Sequence, residues 1–210
     1  MSSSNRRSRK PFSDNFEPAT REHSYEPSAA LGRRVKHFDK TYTHYEDAYS
    51  TYRKSPDLKP SAMDLVEFAA AGSLDEVQKL LAVGISADAV DASGEPATCA
   101  AAIAGHSAIV AELLSSGASA LQSTNFKETP LHLACRIGSR DCALVIIEAS
   151  KREKTLRELL EAENYMGARA LHVASEKGQH EVCRQLVEVG ADLTAEDHSG
   201  RTALQLAVYW

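Results

Sequence analysis

Glycine spacing constrains this chain more than any other feature. Gly72, Gly105, Gly138 and Gly178 recur at intervals of 33, 33 and 40 residues. A second series, Gly84, Gly117 and Gly190, follows each partner by 12, with Ser150 in the missing place. A period of 33 with one insertion of seven marks an array of equal units rather than one globular core.

Between the two glycine series, apolar residues recur on one helical face. They are Val77, Leu80 and Leu81; Ile109, Val110, Leu113 and Leu114; Cys142, Ala143, Ile146 and Ile147; and Val182, Cys183, Leu186 and Val187. Each set predicts an outer helix with one buried stripe. Ahead of the first glycine series stand Phe68-Ala69-Ala70-Ala71, Ala100-Ala101-Ala102 and Leu131-His132-Leu133-Ala134, whose small side chains let neighbouring helices approach closely. Every unit is therefore a helix pair.

Glu128-Thr129-Pro130-Leu131-His132-Leu133-Ala134 and Gly200-Arg201-Thr202-Ala203-Leu204 resemble the signature that opens an ankyrin repeat, and the 33-residue period agrees. The resemblance covers residues 61–210. It implies an all-α ankyrin-repeat solenoid of about 4.5 stacked helix pairs with hairpin loops, in units near 63–90, 91–123, 124–163, 164–196 and an incomplete 197–210. A single pair cannot bury its apolar faces, so stability has to come from stacking.

Departures from the signature carry expectations of their own. Pro96-Ala97-Thr98-Cys99 places Cys99 where a turn-bracing histidine would lie, which predicts a weaker turn. Lys127 takes the hairpin position held elsewhere by Gly94, Gly167 and Gly200. If the left-handed backbone persists there, a side chain costs about 1 kcal/mol. The first unit lacks the hairpin, as a capping repeat would. In the insertion, Thr155 is placed to cap a protruding turn, Leu156-Arg157-Glu158-Leu159-Leu160-Glu161, although a merely lengthened connection fits equally. The last unit stops on Tyr209 and Trp210 after one helix. It reads as a truncated gene product, an artificial boundary or an end that something else covers.

Charge divides the chain in two. Residues 1–60 hold 12 Lys plus Arg against 8 Asp plus Glu, whereas residues 61–210 hold 12 against 21. Five of seven prolines also precede residue 61, so residues 1–27 are expected to be a disordered basic tail. Leu31, Val35, Phe38, Tyr42, Tyr45, Tyr49 and Tyr52 alternate steps of four and three, which predicts an amphipathic helix within 28–55, followed by a linker at 56–62. Its stripe has two surfaces open to it: the protein's own repeats, or a partner's groove or second copy. Arg6-Arg7-Ser8-Arg9-Lys10 and Arg33-Arg34-Val35-Lys36 are basic clusters of the kind nuclear import factors or acidic surfaces read, though charge-rich tails are usually just solvated.

No phosphate-cradling glycine loop, H-E-x-x-H or nucleophile elbow is present in the sequence, so catalysis has no candidate and no cofactor is expected. His132 and His172 fall at the turn position of the signature and are expected to bond local backbone. His106 and His180 follow helix-ending glycines and read as capping or solvent-exposed. Cys99, Cys135, Cys142 and Cys183 lie inside helical patterns and read as reduced core residues rather than metal ligands. No apolar run approaches the roughly 20 residues of a membrane span, which points to a cytoplasmic or nuclear protein. The acidic folded part argues against nucleic acid.

In ankyrin stacks, hairpin tips and inner helices form a concave surface that holds a partner protein. The tips here carry Ala92 and Ser93, then Asn125 and Phe126, then Tyr165 and Met166, then His198 and Ser199. Phe126, Tyr165 and Met166 are the expected anchors, unless an aromatic ring folds back over its own hairpin. Asn125, His198, Arg136, Ile137, Glu176 and Lys177 flank them. The resulting expectation is a non-enzymatic adaptor that holds another protein or peptide, basic or of mixed charge, with acidic residues speeding encounter. The alternative is a targeting or regulatory module of a larger enzyme, channel or multidomain regulator. A structural spacer is the third reading. Oligomeric state is not fixed by the sequence.

Overall fold

The computed structural model describes residues 60–208. The basic tail, the proposed tyrosine-striped helix, most of the linker, Tyr209 and Trp210 lie outside the described residues.

Ten helices form among the described residues. Inner helices α1 (Ala62–Ala71), α3 (Ala97–Ala104), α5 (Pro130–Ile137), α8 (Ala170–Glu176) and α10 (Ala203–Ala207) each stack on the next in one row. Outer helices α2 (Leu74–Ala82), α4 (Ser107–Ser115), α6 (Arg140–Glu153) and α9 (His180–Glu188) form the second row, and α7 (Leu156–Glu161) carries the insertion. The stacked helix pairs expected from the period are thus observed. The central inner helices α3, α5 and α8 bury nearly their whole surface: Ala97, Cys99, Ala101 and Ala102 on α3 are fully covered, as are Leu131, Ala134 and Cys135 on α5. Alanine and cysteine are there because the rows sit too close for larger side chains.

The inner helices α3, α5, α8 and α10 each start at a hairpin of the same geometry. Asp91 Oδ1 accepts hydrogen bonds from the N–H groups of Ser93 and Glu95, at 2.8 and 2.9 Å. Thr124 Oγ1 takes those of Phe126 and Glu128, Asn164 Oδ1 those of Met166 and Ala168, and Asp197 Oδ1 those of Ser199 and Arg201. One side-chain oxygen satisfies two donors that the tight turn leaves without backbone partners. Lys127 does adopt the left-handed backbone there, at φ 57°, beside 78° for Gly94 and 72° for Gly167.

The histidines do more than brace their own turns. Nδ1 of His132 accepts from Thr129 N–H at 3.3 Å, so the ring proton sits on Nε2, which donates to Ala168 O of the next unit at 3.0 Å. His172 holds its own turn through Arg169 N–H in the same way, but its Nε2 bonds Ala195 O, at the end of its own unit just ahead of the next hairpin. Cys99 occupies the equivalent place with its thiol 3.8 Å from Glu128 O and 3.9 Å from Gln122 O, a longer and weaker version of the His132 bond. His106 caps nothing with its side chain; its ring lies over Gly72, so close that a Cβ there would meet Cε1 at 2.7 Å.

The insertion departs from the regular unit. Ser150 does not end a helix as the glycines do: α6 runs on to Glu153 and turns at Lys154, φ 62°. Ser150 is buried, with its hydroxyl donating to Ile146 O at 2.9 Å. Without glycine at 150, nothing breaks the helix, and part of the insertion becomes an extra turn. Thr155 stands at the N-cap of α7, but its hydroxyl makes no capping bond. The helical turn expected at Leu156–Glu161 is present as α7, with Arg157, Glu158 and Glu161 facing solvent, and Leu159 is fully buried beneath it. Cys99, Cys135 and Cys142 are buried free thiols, and Cys183 is half-buried.

Lys127→Gly should relieve the left-handed strain and raise unfolding stability by about 1 kcal/mol, read from urea denaturation. Gly167→Ala should act oppositely, because a Cβ there would also lie 2.3 Å from His198 Cδ2. Unchanged stability in Lys127→Gly would mean that this hairpin carries no strain.

Candidate functional site

The hairpin tips are linked to one another along the stack. Asn125 Nδ2 donates to Ser93 O at 2.7 Å, Tyr165 N–H to Phe126 O at 3.1 Å, and His198 N–H to Met166 O at 3.0 Å. This ladder fixes the spacing of the side chains it carries. Phe126 and Tyr165 meet across it, ring centroids 5.8 Å apart and tilted by 56°. Such a pair contributes about 1 kcal/mol beyond its buried area. Phe126 is half-buried by this contact, whereas Tyr165 remains 50% and Met166 45% exposed. Phe126 therefore packs on the next hairpin rather than over its own.

The flanking residues separate into two groups. Asn125 is exposed but its amide holds the preceding tip. The His198 ring lies against Gly167. Arg136, only 18% exposed, forms an ion pair with the buried Glu128. These three spend part of their bonding capacity on the stack itself. Glu176 and Lys177 stand exposed where α8 ends, and Ile137 is exposed at the end of α5.

Sequence reasoning passed over the two carboxylates beside Arg136. Glu95 and Glu128 hold the same register one period apart, and both are nearly covered. Burial, reinforced by Asp91 and opposed by Arg136, pushes the Glu95 carboxyl up to about 7. Their shared place before Pro96 and Thr129 is the signal that might have exposed them, but burial of a surface-type residue is invisible without the neighbouring hairpin.

A second apolar surface lies at the last unit. A groove of about 250 Å³ runs between α8, α9 and α10, lined by Leu171, Cys183, Val187, Leu193, Ala203 and Leu204. Among the described residues no group of His, Cys, Asp and Glu is arranged to hold a metal ion, and no helix is long and apolar enough to cross a membrane. What the tip surface offers is a rigid row of aromatic and thioether side chains with polar edges, suited to holding another protein.

A family profile described as "Ankyrin repeats (3 copies)" matches residues 65–156 and 146–210. The chain is similar to the B-cell lymphoma 3 protein homolog of Mus musculus, 37% identical over 97 residues, which covers 46% of this chain and 21% of that protein. It is similar to the NF-kappa-B inhibitor cactus of Drosophila melanogaster, 34% identical over 120 residues, covering 46% of this chain and 24% of that protein. It also resembles tyrosine-protein kinase HTK16 of Hydra vulgaris, 29% identical over 83 residues, covering 40% of this chain and 10% of the kinase. In each case the match spans a quarter or less of the relative's own length.

Two buried groups make the pH response of the stack specific. Burial lowers the His132 ring from its ordinary 6.5 to about 4, so the unfolded chain binds this proton more readily and stability falls as pH drops through that window, by up to about 3 kcal/mol. Glu95 has the opposite sign, because a carboxyl raised from 4.5 to about 7 favours the folded state on acidification. Between pH 7 and 4.5 the two oppose each other. Glu95→Gln should uncover the histidine, and urea titrations of this variant should show a steeper loss of stability toward acid than the native chain. Parallel pH profiles would refute the opposition.

Proposed function

The chain belongs to the ankyrin repeat family, and from that premise we propose that it is a protein-binding module whose partner seats on the row of hairpin tips and inner-helix ends. The observation that carries this reading is the Phe126–Tyr165 ring pair, continued by exposed Met166 on a hydrogen-bonded tip ladder. Large apolar side chains held rigid before a partner arrives lose little entropy on binding, which is what makes such residues energetic anchors. Asn125, Arg136 and His198 serve this surface by holding its shape, and Glu176 and Lys177 supply its polar edge. A cytoplasmic or nuclear setting belongs to the same reading.

The relatives suggest where to look for the partner. Cactus is named an NF-kappa-B inhibitor, which makes an NF-kappa-B protein the first candidate to test. A second reading is favoured by the kinase similarity: the repeats serve as a targeting or regulatory module within a larger enzyme or multidomain protein. Both readings assign the repeats a binding role, and reading the transcript for a catalytic domain separates them.

Phe126→Ala combined with Tyr165→Ala should weaken an NF-kappa-B partner, or another partner established by affinity capture, by about tenfold or more in isothermal titration. The thermal melt should remain cooperative. Affinity equal to the native chain's, with the fold intact, would remove the tips as the binding surface.

A further inference from the structure

Resting on the protein-binding reading, the disposition of charge limits what this surface accepts. Net charge alone suggests a basic partner, since residues 61–210 hold 21 Asp plus Glu against 12 Lys plus Arg. Distance argues otherwise. Near 0.15 M salt the Debye length is about 8 Å, less than the diameter of one helix, so a segment on the tips reads the charges of that face. Exposed Asp75, Asp141, Glu148, Glu158, Glu181 and Glu188 project from the outer helices and α7.

Across the hairpins of units three to five, each arginine has at least one carboxylate partner and the charges nearly cancel. Arg136 is with Glu128. Arg169 reaches Glu163 and Asp192, each at 3.5 Å. Arg201 binds Asp197 at 2.7 Å, and Lys177 directly follows Glu176. Exposed Lys127 and Glu196 then contribute one charge of each sign. In the neighbouring hairpin, Glu95 is held toward its neutral form by burial. Amid these balanced charges lie Phe126, Tyr165 and Met166, with Ile137 at the end of the helix that Arg136 ties to the Glu128 arm.

We infer that the occupant of this face is a partner segment of low net charge presenting large apolar side chains, and that its binding is nearly independent of salt. Neither strongly basic nor strongly acidic segments gain here, because each would meet a like charge beside every opposite one. Apolar burial supplies the affinity, and such burial is not screened by ions.

Phage-displayed random peptides selected on the full chain test this. Clones that also bind the Phe126→Ala/Tyr165→Ala variant are discarded, so that only peptides using this face remain. Should that variant melt early, Tyr165→Ser alone serves as the filter, since its side chain is half exposed. The survivors should have net charge near zero and Leu, Phe or Trp anchors, with affinities that shift less than roughly threefold between about 0.05 and 0.5 M NaCl. Survivors of pronounced charge whose affinity falls about tenfold or more over that range overturn the inference while leaving the surface in place. Absence of any survivor overturns the inference and the tip surface together.

Discussion

No helix pair in this protein can cover its own apolar faces, and everything else in the structure follows from that shortage. The inner row works because alanine and cysteine let helices pack at close range, and the outer row because each stripe of Val, Leu and Ile meets the next. Stacking by itself leaves rotation and slip between units undetermined. The ring of His132 removes that freedom, bonded to its own turn and to Ala168 O of the following unit, and His172 fixes its turn to Ala195 O just ahead of the next hairpin. The ladder from Ser93 to His198 ties the hairpin tips to one another. Tip geometry is therefore inherited from the core.

The parts of this architecture that were legible in the sequence are those set by period. Glycines 33 apart, small-residue inner helices and striped outer helices are local patterns, and Lys127 could be placed in a left-handed hairpin because three glycines mark the same register. What the period hid was substitution with retained function. Asp91, Thr124, Asn164 and Asp197 share one role, yet three residue types fill it, so no single letter recurs. The insertion fails for the same reason: Ser150 occupies a glycine's register but continues the helix, and only packing against neighbours decides which. At the candidate site the tip positions of Phe126, Tyr165 and Met166 could be named from their register, whereas the engagement of Arg136 by Glu128 required a contact that the alignment of units does not display.

Charge teaches a related lesson about scale. The acidity of the repeats is a property of the whole fold, but recognition happens within a few ångströms of a surface where arginines are already matched. A long-range field helps partners meet; it does not choose what fits once water is expelled. The expectation of acidic residues speeding encounter with a basic or mixed-charge partner concerns that long-range field, whereas the low-charge segment proposed above concerns the contact itself.

Two apolar surfaces are exposed, and the repeat supplies its own control for ranking them. Leu204 is 75% exposed, although Leu131 and Leu171 in the same register are 0% and 4% exposed. Val208, likewise exposed, shares a register with buried Cys135 and Ser175. For the three leucines register and residue type are alike, so the difference comes from the neighbour that covers the earlier units. The apolar groove beside α10 thus reports the stacking rule rather than a special feature of its residues. Tyr165 and Met166 are different. Their hairpin has a hydrogen-bonded neighbour on each side, at Phe126 and at His198, and they stay open to solvent all the same. Exposure that persists when the stack is complete on both sides is exposure the fold cannot use, and that is why the tips, rather than the groove, carry the binding assignment.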